Sequence, residues 1–579
     1  MTKKNRVIDI ILCTVLVLLP FLHVNVGLSV ADQGYNLINF ESFPDMNQTW
    51  MIATLAANLV GKMFTYLPYG HYMLGMNVYC TLLLSIVTVL MYIVLKKDYN
   101  RYGVFLGLII AICFSWAPKV ILYQYLSYYL FSCSAVLLVK GLIKEKKVLM
   151  YLAGILLGIN LFVRFPNILQ VSLIVVVFVA AFIKKSKIKA LGLNVLCCIA
   201  GWCTITVPVI LAIEIVCGRD TYVGMVQSLF AMTESATSYT PLAMLRSVYA
   251  GYIENLKWFI WFVVAAGIGT LVYGFLRKKW QKVTCYVFLA LGVLFILRVY
   301  WYWGIMNIQY TSYSSVMVWG TCFLILSILI LFSVLCFKKY GLTKRLYAVA
   351  GLVIIFITPL GSNNALFSNY NNLYFLAPVV LGSIMDLALA YNVKEKEGRR
   401  KIWRFSALPI AFVSGLLVLV VLFQTFMFHI FFIFGDVGIT GEAKTVVPGN
   451  ERLAGIYTTE ANAKGIGELT AFFKEFDLKD KACIVWSHSP ILYYALDLEC
   501  AIGHTWPMLD SYSYAEFVGD LTDNEEYPIV IYEAQYYPDL LSNAEELDDK
   551  TYWISELLDE GEYQEVFRNQ YYVVCVPEN

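Results

Sequence analysis

The sequence predicts a polytopic α-helical membrane protein of about thirteen spans, closed by a C-terminal extracytoplasmic domain of α/β or α+β type. Three observations predict it. Of 579 residues, 59% are hydrophobic and 15% charged, against roughly 45–50% and about 25% in soluble domains. The charges also divide by sign. Residues 1–434 carry 35 Lys and Arg against 13 Asp and Glu, net +22, whereas residues 435–579 carry 8 against 28, net −20. Finally, the basic part breaks into long apolar stretches and the acidic part does not. Such a composition excludes an ordinary soluble protein, a disordered chain and a nucleic-acid partner.

A spanning helix needs roughly 20 apolar residues, because in lipid every backbone polar group must bond internally. The candidate spans are about 7–29, 72–95, 102–118, 126–143, 148–163, 166–183, 190–216, 258–276, 283–300, 313–337, 346–361, 372–391 and 405–434. Basic clusters at Lys3–Arg6, Lys96–Arg101, Lys144–Lys147, Lys184–Lys189, Arg277–Lys282, Lys338–Arg345 and Lys394–Arg404 fall at every second connection. Lys and Arg stay cytoplasmic, so the N-terminus is expected inside and, after an odd number of spans, the acidic domain outside. Ser29-Val30-Ala31 has the small-residue pattern of a signal-peptidase site. The apolar stretch before it is longer than a usual signal h-region, so a retained first span is expected.

The outer connections are unequal. Residues 30–71 and 217–257 form long outer loops, and shorter ones lie near 118–125, 164–166, 301–312 and 362–371. Within the first, Trp50–Leu67 is apolar, amphipathic and stopped by Pro68, the pattern of a helix lying in the interface. In residues 435–579, Ala482–Trp486, Pro528–Glu533 and Tyr571–Val576 read as strands, and Lys464–Phe476 and Tyr552–Leu558 as helices. Ser487-His488-Ser489-Pro490 follows a strand, where such domains place either a ligand or a plain turn. Cys483, Cys500 and Cys575 allow at most one disulfide within this part.

Acidic residues are scarce in the outer loops: Asp32, Glu41, Asp45, Asp220, Glu234 and Glu254. Asp32 directly follows the first span, at a depth where a carboxylate is costly unless solvated or paired. It opens the segment DQGYNLINF, Asp32 to Phe40. This segment resembles the Asp-Glu-Gly-Tyr-like motif of the GT-C superfamily of integral-membrane glycosyltransferases, in particular the protein-mannosyltransferase-like and lipid-modifying bacterial branch. The organisation is similar throughout: a first span, a long outer loop with interfacial helices, many further spans and an extracytoplasmic C-terminal domain. Gln33 stands where that motif carries its second acid, which speaks against a two-carboxylate or metal-assisted arrangement.

The resemblance implies sugar transfer from a polyprenyl-phosphate-linked donor to an envelope glycan, lipid or protein acceptor at the outer face. It places Asp32 as the general base, with Gln33 and Tyr35 beside it on the substrate side. A partly desolvated carboxylate is the more basic for it, and a lipid-phosphate leaving group calls for cations. Arg164, in Phe162-Val163-Arg164-Phe165-Pro166, sits on the outer side against the positive-inside bias; the resemblance also puts a basic residue in such a setting. Lys119, Arg298, Lys62 and Arg246 are weaker candidates, each read more readily as a snorkelling side chain. Tyr123–Tyr129 and Arg298–Tyr302 read as interfacial aromatic belts. The asparagines around Asn363, Asn364 and Tyr370 offer the amide donors and acceptors that sugar hydroxyls use. No obligatory metal or other cofactor is expected, because the five histidines show no ligand spacing; a divalent cation between Asp32 and Glu41 or Asp45 stays open. Neither a phosphate-binding Gly-rich loop nor a GxSxG elbow is present. A transporter or flippase of envelope glycolipids, or a non-catalytic glycan-binding membrane protein, would share the polytopic body. The basic inner loops fit a bacterial plasma membrane.

Overall fold

A computed structural model describes residues 3–115, 119, 123–235, 240–275, 281–306, 308–337, 339–361, 364–396, 401–435, 442–476, 481–509, 512–522, 526–534 and 549–578. Thirteen helical segments answer the thirteen apolar stretches: Lys3–Leu18, Met73–Leu95, Arg101–Phe114, Tyr123–Lys144, Lys147–Val163, Phe165–Lys184, Ile188–Val216, Pro241–Phe275, Gln281–Tyr302, Met317–Cys336, Leu342–Ile357, Leu376–Lys396 and Lys401–Phe431. Among the described residues, seven of them are long and apolar enough to cross a bilayer unaided. Their shared core runs through Leu108, Phe131, Trp319, Tyr347 and Phe375. At the basic ends, Asp9 pairs with Lys96 (3.0 Å) and Arg101 (3.5 Å), Asp98 with Lys140, and Asp386 with Lys344 (2.6 Å).

Two predicted boundaries move. The first span ends in a short 3-10 turn, Leu19–Phe21 around Pro20, and not near residue 29. From there the chain bends through His23 and Gly27, both at positive φ, and pairs with the C-terminal region. Gly27 N donates to Tyr457 O (2.8 Å) and Tyr457 N to Asn25 O (2.9 Å). The second outer loop is largely helical, as Thr221–Ser235 and the first turns of Pro241–Phe275. The helix expected over Trp50–Leu67 forms as two pieces, Gln48–Ala53 and Leu55–Thr65, broken at Thr54.

The C-terminal region holds a two-stranded ribbon, β1 (Thr445–Val446) and β2 (Tyr457–Thr458), and four further strands: β3 (Cys483–Trp486), β4 (Ile529–Glu533), β5 (Tyr563–Arg568) and β6 (Tyr572–Pro577). These four form one mixed sheet in the order β3-β4-β6-β5, with β3 and β4 parallel and the rest antiparallel. The three strands expected from sequence are β3, β4 and β6; the others were not expected. Helices Glu460–Phe476, Ile491–Leu496, Tyr514–Thr522 and Asp549–Glu560 cover the two faces. One face buries Ile484, Trp486 and Val530 against Phe517 and Ile554. The other buries Val485, Ile531 and Val574 in a core that also takes in Leu37, Phe40, Met73 and Met76 of the membrane body. The acidic region is therefore seated, through apolar contact, on the loop that follows the first span and on the start of helix Met73–Leu95.

Candidate functional site

Asp32 occupies the first turn of helix Asp32–Ser42, which starts after an N-cap, Ala31, that supplies no side-chain cap. Two effects compete there. A helix N-terminus favours the ionised carboxylate, while burial disfavours it. Burial prevails, and the Asp32 carboxyl is held above the ordinary aspartate range. Among the described residues, no hydrogen bond or ion pair reaches its carboxylate. The C-terminal region is tied in just before it: Ile491 N donates to Val30 O (3.0 Å). Gly34 lies so close beneath that a Cβ there would stand 2.3 Å from Ile491 N. Only glycine allows this approach.

Gln33 is buried and spent on structure. Its Nε2 donates to Asn77 Oδ1 (2.9 Å), its Oε1 accepts from Ser29 N (3.3 Å), and Asn77 Nδ2 donates to Val24 O (2.9 Å). These bonds pin the bend before Asp32 to helix Met73–Leu95. Gln33 also lines a small cavity, about 50 Å³, with Lys119, His23 and His429. Lys119 Nζ donates to Pro20 O at 3.4 Å. Burial pushes the Lys119 ammonium down to about 8, which brings its titration close to neutral pH.

Arg164 ends helix Lys147–Val163 in extended backbone. Its guanidinium donates to the Gly361 carbonyl and stands 5.6 Å from the ring centroid of Tyr123. Tyr123 is in turn within electrostatic reach of Tyr35, one helical turn beyond Asp32. The turn carrying Arg164 is fixed by buried amides that sequence reading missed. Asn160 Nδ2 donates to Ser127 O (3.0 Å), Asn167 Nδ2 to Ser127 Oγ (2.7 Å), and Gln170 Nε2 to Asn167 Oδ1 (3.0 Å). Three amides inside apolar stretches were the available signal, since buried polar groups must find partners.

The remaining expected residues do not join this group. Lys62 Nζ donates to Glu41 O (2.6 Å), and Glu41 itself pairs with His71 (3.0 Å) and Arg452 (3.8 Å). Arg298 is exposed beside the Tyr302 ring (5.2 Å). Asn364 is exposed, and Asn363 lies outside the described residues. Tyr370 corrects the expectation of a substrate-facing side chain: it is 1% exposed. Its hydroxyl bonds Thr321 Oγ1 (2.8 Å), because a buried phenol needs an internal partner. Tyr125, Tyr128 and Tyr129 likewise lie inside the bundle and form no belt there. Ser487–Pro490 is the turn between β3 and helix Ile491–Leu496, with Ser489 Oγ donating to Glu533 Oε1 (2.7 Å). The described cysteines, Cys483, Cys500 and Cys575 included, are unbridged. Among the described residues, no three His, Cys, Asp or Glu side chains converge as metal ligands.

Fold and site together define a multi-pass membrane protein in which the loop after the first span carries a desolvated carboxylate and packs against the C-terminal region. No family model and no curated protein matches the chain. Among solved structures it is similar to ArnT from Cupriavidus metallidurans bound to undecaprenyl phosphate, at 9% identity and a TM-score of 0.48, over 99% of this chain and 98% of that one. It is also similar to the archaeal oligosaccharyltransferase AglB from Archaeoglobus fulgidus, in complex with an inhibitory peptide and a dolichol-phosphate. That likeness has 12% identity and a TM-score of 0.47, over 96% of this chain and 72% of that one.

Proposed function

We propose that the chain is a membrane glycosyltransferase of GT-C type, taking its sugar from a polyprenyl-phosphate-linked donor at the extracytoplasmic face. The observation that carries the proposal is Asp32: a carboxylate at the mouth of the first outer loop, desolvated, raised in pKa and unpaired among the described residues. Its setting in DQGY is the motif that resembles the family's. In this reading Asp32 accepts the proton of an acceptor hydroxyl as that oxygen attacks the anomeric carbon. The bond from that carbon to the phosphate oxygen breaks, and polyprenyl phosphate departs with the bonding pair. A single displacement of this kind inverts the anomeric centre. Lys119 and Arg164 are the cations assigned to the phosphate, where positive charge offsets what develops on the leaving group. The acceptor is an envelope glycan, lipid or protein, and the membrane is a bacterial plasma membrane with the N-terminus inside.

The test is a mass-spectrometric comparison of envelope glycans and the polyprenyl-phosphate-sugar pool in three strains: deleted, restored with wild type, and restored with Asp32→Asn. The proposal expects the deletion to lose a glycan modification and accumulate its lipid-linked donor, with expressed Asp32→Asn behaving like the deletion. Full restoration of the glycan by Asp32→Asn would refute the assignment.

A further inference from the structure

Between helix Asp32–Ser42, helix Gln48–Ala53 and the C-terminal domain lies a cleft of about 390 Å³, inside the roughly 300–1,000 Å³ range of small-molecule sites. It opens beside Tyr35, one turn from Asp32. Its wall is aromatic where the two parts meet: His504 stacks on Tyr35 (5.7 Å between centroids, 21° between planes) and meets Trp50 edge-on (4.9 Å). Apolar side chains such as Met46 and Ile502 also line it, and its acidic groups are of one sign. Asp45, Glu499 and Asp520 line it, together with amides such as Asn39 and Asn47, and no Lys or Arg stands among its lining residues. The Thr505 hydroxyl, also on the wall, has no hydrogen-bond partner among the described residues.

The walls are built and held. Asp520 Oδ2 accepts from Gly503 N (2.7 Å) and from the Tyr512 hydroxyl (2.7 Å), fixing the loop that presents His504. The edge of β3 is already occupied, since Cys483 N donates to Glu499 O (2.9 Å) and Ala501 N to Cys483 O (2.9 Å). An extended peptide therefore has no free strand edge to add to on that side. Ring surfaces with carboxylate and amide groups between them suit a saccharide, whose hydroxyls donate to the carboxylates and whose CH faces lie on the rings. Three carboxylates in a lining that holds no Lys or Arg among the described residues repel phosphate- or carboxylate-bearing polymers.

From this we infer that the cleft is the acceptor subsite, and that the acceptor is a saccharide without anionic groups. The inference rests on the transferase reading for the word acceptor; the binding itself does not. To test it, envelope glycans from the deletion strain are split by anion exchange into unretained and retained fractions. Each is offered to the full-length protein in nanodiscs, and bound saccharide is quantified by mass spectrometry for wild type, Asp45→Asn, Glu499→Gln and Trp50→Ala. The first two are isosteric changes at exposed side chains, so they separate lost binding from lost folding. Binding of the unretained fraction, weakened about tenfold or more by these changes, is the expected result. Binding confined to the retained fraction, binding indifferent to all three substitutions, or displacement only by a lysine-rich peptide would overturn it. Saccharide binding without any turnover of lipid-linked donor would sink the transferase reading and leave the cleft standing. Turnover without saccharide binding would do the reverse.

Discussion

Gly34→Ala adds one methyl group where helix Asp32–Ser42 lies against the start of helix Ile491–Leu496. The new Cβ would stand 2.3 Å from Ile491 N, 2.5 Å from its Cα and 2.8 Å from its Cβ. Backbone atoms have no rotamer by which to yield, so the two segments must part by about 1 Å to regain ordinary contact distances. Over-packing of this kind costs about 1–3 kcal/mol. The displacement reaches Asp32, because Ile491 N is tied to Val30 O, two residues before it. A misplacement of about 1 Å at a reacting group can lower a rate by roughly 10²-fold. Turnover of extracted lipid-linked donor by purified protein, followed beside thermal unfolding, measures both effects. The expected variant is expressed, less stable and about 10²-fold slower. A variant with wild-type rate and wild-type unfolding would show that the docked domain does not position Asp32.

Three further outcomes are expected. Turnover should follow a bell in pH: the acid limb comes from protonation of Asp32, whose pKa is raised by burial, and the alkaline limb from neutralisation of Lys119, lowered to about 8. Lys119→Arg should push the alkaline limb upward, since a guanidinium does not titrate there; an unmoved limb would remove Lys119 from the phosphate assignment. Asp32→Asn should leave thermal stability at neutral pH equal or higher. A carboxyl whose folded pKa lies above its unfolded value destabilises the fold once pH exceeds the unfolded pKa, and the amide removes that cost; a large drop in unfolding temperature would make Asp32 structural. Arg164→Lys should weaken turnover through the donor KM, because the forked guanidinium reaches both the Gly361 carbonyl and the Tyr123 ring face; unchanged donor KM would refute its role.

Much of the membrane body was legible because each span writes itself as a continuous apolar stretch, independent of what it packs against. The same independence set the limit. Nothing in residues 22–31 announces that they pair with Tyr457, so the first span was drawn too long. Apolar and tyrosine-rich stretches read alike whether they face lipid or another helix, and Tyr125, Tyr129 and Tyr370 were misplaced for that reason. Asp32 and Arg164 stood out as charges where charges are expensive. The desolvation of Asp32 did not, and the Ile491 segment that packs on Val30 and Gly34 beside it is distant in the chain. Strand β5 has an exposed outer face and weak alternation, and only its pairing with β6 makes it a strand.

The most direct test of the proposal is release of polyprenyl phosphate in proteoliposomes supplied with donor lipid and glycan acceptor, compared for wild type, Asp32→Asn and Asp32→Glu. The account predicts that Asp32→Asn lowers the rate by roughly 10²–10⁴-fold while Asp32→Glu keeps part of it, since a base is present but displaced. Release by Asp32→Asn at the wild-type rate would contradict it.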